Sequence, residues 1–386
     1  MKQYLIILFL LPLMVACNEK DILTDISVDS TTPLISNLIE INDGEFSSLI
    51  DSMQLVPLDE EQIVGRIKRI RYANGNFYIV ADEKLLLFNE NGEFIKVISE
   101  KGEGPDEFLY FCDFDVDSTG IVIRDNTKFM FYDTMGNPLR QISHKFGFGS
   151  IRLLPEGRWV ITTVEPLNNN KRLAVLDNNG DTVFTALDDY AYDHGFYQDL
   201  FHLDNDVIMH PMFYHGGNEL FVVNTRTKES KYIPVSVDGD PMSCKEFAAY
   251  VKTPGELIDA PKITYLGYSD NRSMIFFSAF KQGKKYRYVL DKETGQTLEL
   301  RSDHLANDLV IEGDKSQMFN STYFTTSDTD YFVTWLRDPI ATYEQSVTLN
   351  PRFKAEYTKL AEIDDESNPV LALIKFKSPR KFVNEN

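Results

Sequence analysis

The chain has 386 residues, 43% of them hydrophobic and 25% charged, so it can bury a large core without cross-links. Its 59 Asp and Glu outnumber 39 Lys and Arg, for a net charge of −20. A surface this acidic repels phosphate backbones, where a nucleic-acid binder would release counterions, so nucleic acid is excluded as a partner.

In chain order, residues 1–16 read as a secretory signal: Lys2 supplies the positive start, Leu5 to Leu13 the apolar core, and Met14, Val15 and Ala16 lead into Cys17. The apolar core is too short to span a bilayer as a helix. A Cys after a small residue at this point resembles the lipobox of bacterial lipoproteins, with Met14 in place of the usual Leu. The resemblance implies that Cys17 becomes the diacylated first residue of the mature chain and anchors it to a membrane of the cell envelope, the outer membrane being the expected one. The alternative is an ordinary cleaved signal followed by an unmodified Cys. Of the other two cysteines, Cys112 and Cys244, the sequence leaves open whether they pair or stay apart as buried thiols. Residues 17–45 read as a tether, and residues 46–386 as the folded unit.

Within that unit a short phrase recurs. An apolar run ends in Asp or Asn, polar residues follow, usually with a Gly, and another apolar run begins: FNENG at 88–92, YDTMG at 132–136 and LDNNG at 176–180, with looser copies VNTRT at 223–227 and LDKETG at 290–295. The Asp/Asn positions 89, 133, 177, 224 and 291 are 44, 44, 47 and 67 residues apart. A period of this length, filled with short strands, is that of a β-propeller blade. Blade one is expected over 65–98, with strands at 67–73, 77–81, 85–88 and 94–98 and turns at Asn74-Gly75 and Asn91-Gly92. Blades two to five follow at 111–142, 151–187, about 200–235 and about 263–300. A divergent sixth takes 318–326, 331–336 and 370–376. The isolated strand at 53–58 precedes the first repeat, and it is expected to complete the last blade and close the ring, which removes open sheet edges. The fold class is therefore all-β, a six-bladed β-propeller closed by an N-terminal strand, with small helical insertions. Those insertions, at 236–262 and 338–368, interrupt the rhythm; in the second, Phe353, Tyr357, Leu360 and Ile363 fall on one helical face. Both read as surface decoration.

These residues resemble the six-bladed β-propeller lipoproteins of Bacteroidetes, distant relatives of NHL-repeat propellers. The match runs from GRIKRI at Gly65 through GEGPDEF at 102–108, NELFVVNTRTKESKYI from Asn218, NDL from Asn307 and NPVLALIKF from Asn368. The usual form of the second segment is G-x-G-P-G-E-[FY], and Asp106 stands where the last Gly of that pattern falls. The resemblance implies a shape and an envelope location; the family has no established catalytic residues to carry over.

Propellers place ligands at the mouth of the central channel. The innermost strands of the first four blades bring Arg71, Asp115, Arg152 and His202 to equivalent positions, each one residue after an apolar anchor. Charges of both signs there either orient a polar ligand or pair with one another. Glu103, Asp106 and Glu107, on the loop joining blades one and two, form a second candidate group, open to Ca²⁺ or to a purely structural role. His194, His202, His210 and His215, interspersed with carboxylates, are a candidate set for a divalent metal, although their spacing fits no compact motif. No cofactor is predicted. Nucleophilic catalysis has little support, since neither a G-x-S-x-G elbow nor an HExxH occurs. The expected function is a lipid-anchored binding or scaffold module for a protein or saccharide partner. The alternative is a metal-assisted lyase or hydrolase acting at the channel mouth.

Overall fold

Four short strands per blade need both faces buried between neighbours, which is why the middle strands read as unbroken apolar runs and the outermost ones alternate. In blade one the strand Asn76–Ala81 is buried at five consecutive positions, whereas Pro138–Ser143, outermost in blade two, has alternating exposed positions. The structure, a computed structural model, describes residues 34–35, 37–41, 44–188, 200–211, 219–235, 264–281, 284–301, 305–306, 308–309, 329–336 and 338–379.

Six blades form a ring. From the channel outward, blade one is Ile67–Ala73, Asn76–Ala81, Lys84–Asn89 and Phe94–Glu100; blade two is Phe111–Val116, Ile121–Asp125, Lys128–Tyr132 and Pro138–Ser143. Blade three is Ile151–Leu154, Arg158–Thr162, Lys171–Leu176 and Thr182–Asp188; blade four is Phe201–Asp204, Val207–Pro211, Glu219–Asn224 and Ser230–Pro234. Blade five runs Thr264–Asp270, Met274–Lys281, Lys284–Asp291 and Gln296–Arg301. Blade six contains Phe332–Trp335 and Val370–Phe376, completed on the outside by the N-terminal strand Ile50–Pro57 in antiparallel register, Ile374 opposite Met53. The expected closure is thus found. The strand expected at 318–326 and the insertion at 236–262 lie outside the described residues.

The buried apolar side chains fall into six clusters, one in each gap between neighbouring blades. Val56, Leu371 and Val333 of blade six meet Ile70, Phe77 and Phe88 of blade one, so the closing gap is as apolar as the others. Each fully buried Leu, Ile or Phe contributes about 1.5–3 kcal/mol, which makes these wedges the main stabilisation of the ring.

The recurring phrase has one physical role in five blades. Its Asp or Asn side chain accepts backbone N–H groups two to four residues on: Asn89 from Asn91 and Glu93, Asp133 from Met135 and Asn137, Asp177 from Asn179 and Asp181, Asn224 from Arg226 and Thr227, Asp291 from Glu293 and Thr294. These are Asx turns. In blades one to three the Gly that follows has positive φ and lies so close to the preceding blade that no Cβ fits: one on Gly92 would stand 2.2 Å from the Pro57 carbonyl oxygen, and one on Gly136 2.6 Å from Ile98. The turns of blades four and five are one residue longer, and in blade four Lys228 takes the left-handed conformation at φ 65°.

Two N- and C-terminal features differ from expectation. Part of the segment read as a tether is a strand: Asn37–Ile41 pairs in parallel with Gln296–Arg301 as a fifth strand of blade five, with Ile39 and Ile41 against the core. Leu34 and Ile35 donate to the carbonyls of Pro234 and Val235, so the same segment touches blade four before reaching blades five and six. The insertion after Phe332–Trp335 carries helices Pro339–Leu349 and Lys354–Tyr357, and it covers an edge rather than merely decorating the surface. Glu356 accepts the Leu55 amide at 2.7 Å, Lys359 donates to the Leu55 carbonyl at 3.0 Å, and Arg352 donates to the carbonyls of Ser47 and Asp51. Helical side chains thereby satisfy backbone groups of the closing strand that no further strand reaches. Phe353, Tyr357 and Leu360 are buried with Ile363 packed beside them, as their spacing predicts.

Candidate functional site

The innermost strand of each blade has one edge paired and one edge facing the channel, so its inward N–H groups need acceptors. Side chains of a neighbouring blade supply them. Asp113 of blade two accepts the Ile151 amide of blade three at 3.0 Å, and Asp115, two residues on and on the same face, accepts Leu153 at 2.8 Å. Asp270 of blade five accepts the His202 amide of blade four at 3.2 Å.

The two carboxylates of blade two also face two arginines of blade one. Asp113 holds Arg69 at 2.5 Å; Asp115 lies 3.5 Å from both Arg71 and Arg152, which share its Oδ1. Beyond this second pair the channel opens into a cavity of about 650 Å³ lined by Arg71, Asp115, Arg152, His202, Asp270 and Lys292 at depth. Arg71, Arg152 and Lys292 are only 3%, 1% and 8% exposed, and Asp115 and Asp270 8% and 5%. Around the mouth stand Asp117, Ser118, Thr119, Asp204, Asn205 and Arg272, while Asn271 is buried with its side chain bonded to Asp330 and Met274. The volume lies in the range of small-molecule sites.

All four channel residues expected from the sequence, Arg71, Asp115, Arg152 and His202, are brought together. Burial keeps His202 below the usual imidazole pKa, against the pull of Asp270 and Asp115 and with help from Arg152, so it serves as a neutral donor and acceptor near pH 7. The sequence reading missed the fifth blade. Asp270 pairs with Ile275 as Asp115 pairs with Val122 and His202 with Ile208, but Ser269 precedes it where the other four blades have an apolar anchor. Lys292 is the second residue of the LDKETG turn. Its amide donates to the Ser273 carbonyl at 2.8 Å, which ties this outer turn to the inner hairpin of the same blade. Its Nζ donates to Asp270 Oδ2 at 3.1 Å and to the Asn271 carbonyl at 2.7 Å. Burial lowers its pKa, and Asp270 opposes that shift.

Glu103, Asp106 and Glu107 do not line this cavity. The cavity lies where the innermost strands end, whereas their loop feeds the start of Phe111–Val116, at the other end of the ring. Glu107 folds back onto its own loop and accepts the Gly104 amide at 2.7 Å; a Cβ on Gly102 would stand 1.9 Å from its carboxylate. Asp106 avoids the left-handed region, so Asp is accommodated where the resembling family has Gly, and its carbonyl accepts from Ser99 and Tyr132. Of the histidines, His202 lines the cavity and His210 does not, while His194 and His215 lie outside the described residues. Among the described residues no group of three or more His, Cys, Asp or Glu is placed to hold a metal ion. Burial pushes the Cys112 thiol up to about 12, which leaves it protonated and a poor nucleophile, and Cys244 lies outside the described residues. No helix among the described residues is long and apolar enough to cross a membrane.

A Bacteroides fragilis protein assigned as exported has a similar solved structure, with a TM-score of 0.64 at 19% identity over 89% of this chain and 100% of its own. A protein of unknown function from Bacteroides caccae aligns at a TM-score of 0.38 and 9% identity, over 64% of this chain and 89% of its own. No curated protein matches the chain. The family model described as "Domain of unknown function (DUF4934)" matches residues 31–375, so the six-bladed propeller described above belongs to that family.

Proposed function

We propose that this protein is an envelope-anchored binding module that receives a polar ligand, a saccharide by preference, at the mouth of its channel. The observation that carries this reading is the 650 Å³ cavity to which five blades contribute buried polar groups of both signs: Arg71, Asp115, Arg152, His202, and Asp270 with Lys292. A closed ring fixes these groups before the ligand arrives, so little ordering entropy is lost on binding. The small polar side chains at the mouth, Ser118, Thr119 and Asn205, suit hydroxyl groups. Export is supported by the signal-like residues 1–16 and by the assignment of the B. fragilis protein. Acylation at Cys17 then supplies the anchor.

The test is an array of saccharides and peptides probed with the full chain and with Arg152→Gln. Saccharide hits that Arg152→Gln loses are expected; hits that the variant retains, or none, contradict the reading. Incorporation of labelled palmitate that Cys17→Ser abolishes tests the anchor, and equal labelling of both contradicts it.

A further inference from the structure

One corner of the cavity holds hydrogen-bonding groups that the ring itself does not use. The His202 imidazole lines the cavity and is partly exposed; among the described residues neither of its nitrogens makes a hydrogen bond and no aromatic ring stacks on it. Only its backbone amide is engaged, donating to Asp270 Oδ2 at 3.2 Å. His144 shows the contrast, since its Nδ1 accepts the Phe146 amide and its ring stacks on Phe129 at 4.1 Å. Withdrawal from bulk water holds the His202 ring neutral near pH 7, so one nitrogen is a donor and the other an acceptor. Beside it the Lys292 ammonium donates to the same Asp270 Oδ2 at 3.1 Å and to the Asn271 carbonyl at 2.7 Å, which engages two of its three N–H groups. The third is left for the cavity that Lys292 lines.

From this corner we propose that His202 and Lys292 receive a pair of adjacent hydroxyls on a saccharide ring, with His202 determining that specificity. The proposal rests on the reading of the cavity as a saccharide site and names the feature of the sugar that the site selects. A carboxylate or phosphate only accepts, so it leaves the acceptor nitrogen of a neutral imidazole unmet. An ammonium only donates, so it leaves the N–H groups of His202 and Lys292 unmet. A hydroxyl does both. Because the His202 amide and the Lys292 ammonium meet at one oxygen of Asp270, the unused groups belong to one corner, which hydroxyls on neighbouring carbons can fill together. One hydroxyl accepts from Lys292; the other donates to the imidazole acceptor, and the imidazole N–H takes a remaining lone pair.

Ligand-observed NMR titrations of the full chain with the methyl glycosides of glucose, mannose and galactose test this, each beside its 2-deoxy, 3-deoxy and 4-deoxy analogues. Loss of the 3-hydroxyl removes every adjacent pair on the ring, whereas loss of the 2- or the 4-hydroxyl leaves one pair. At least one parent glycoside is expected to bind, its 3-deoxy analogue about tenfold more weakly, and one of the other two analogues within about threefold of the parent. His202→Phe keeps a planar ring and the backbone bond to Asp270, and it is expected to bind the parent as weakly as the unaltered chain binds the 3-deoxy analogue. His202→Gln, which again offers a donor and an acceptor, is expected to recover most of that loss. A 3-deoxy analogue that binds as well as its parent overturns the inference, and so does a His202→Phe variant that keeps the preference, or a His202→Gln variant that folds by circular dichroism and recovers nothing. Silence from all three parents up to about 20 mM overturns it as well. The saccharide and peptide array decides separately on the cavity: saccharide hits that Arg152→Gln loses uphold the reading of the site even where the adjacent-hydroxyl inference fails.

Discussion

Two rungs of charge cross the same strands two residues apart, and they behave differently. Arg69 and Asp113 form a 2.5 Å pair whose carboxylate also accepts the amides of Phe114 and Ile151. Arg71 and Asp115 stand 3.5 Å apart, share their contact with Arg152 and open on a cavity. Residue types, strand and face are the same. The first rung is engaged by the blades it joins, and the second borders the cavity. In this ring the distinction between holding blades together and receiving a ligand lies in distance and surroundings rather than in residue identity.

The largest effect that would break this comparison is expected at the closed rung. Asp113→Ala removes the shared acceptor of Arg69 and two amides, and denaturant unfolding should show a loss of about 3–4 kcal/mol. A loss below about 1 kcal/mol would contradict the assignment of this rung to folding. His144 probes the same closed end. Burial, aided by the Arg124 charge, lowers its pKa to about 4, while its Nδ1 accepts the Phe146 amide and its ring stacks on Phe129 at 4.1 Å. The unfolded chain therefore binds this proton more readily. The neutral ring's contribution is complete above pH 6.5 and is lost as the pH falls from about 6.5 towards 4. His144→Phe should flatten that acid slope by about 2 kcal/mol, and an unchanged slope would place the titration elsewhere. At the open rung Asp115→Asn keeps the side-chain shape and the Leu153 acceptor, so a loss of only about 1 kcal/mol is expected by the same unfolding assay. A loss as large as that of Asp113→Ala would erase the difference between the rungs. The smallest change is a gain: Lys228→Gly relieves the left-handed residue of the blade-four turn and should raise stability by about 0.5–1 kcal/mol, visible as a higher Tm.

Much of the ring was legible in the chain. Five Asx turns recur because each blade must reverse at the same place, and strict packing of Gly92, Gly136 and Gly180 against the preceding blade fixes glycine there. The closing strand could be read because it is apolar and has no partner nearby in sequence. The parallel strand Asn37–Ile41 could not, since only Ile39 and Ile41 face the core and the pairing spans more than 250 residues. At the site, Arg71, Asp115, Arg152 and His202 followed from equivalent blade positions. Lys292 did not, because the phrase that carries it looks purely geometric. Its first position caps the turn in every copy, while its second is Glu90, Thr134, Asn178, Thr225 and Lys292 in turn, free to vary and, in blade five, aimed at the channel. A repeat can thus hide a functional residue at the position its geometry does not constrain. The role of the helical insertion was equally hidden, since covering the edge of Ile50–Pro57 depends on contacts between residues about 300 apart in sequence.

The most direct test of the central claim is a crystal structure of the protein grown with a saccharide that the array identifies. The account predicts difference density in the channel mouth, within hydrogen-bonding distance of the polar side chains that line the cavity. Ligand density only elsewhere on the ring would contradict it.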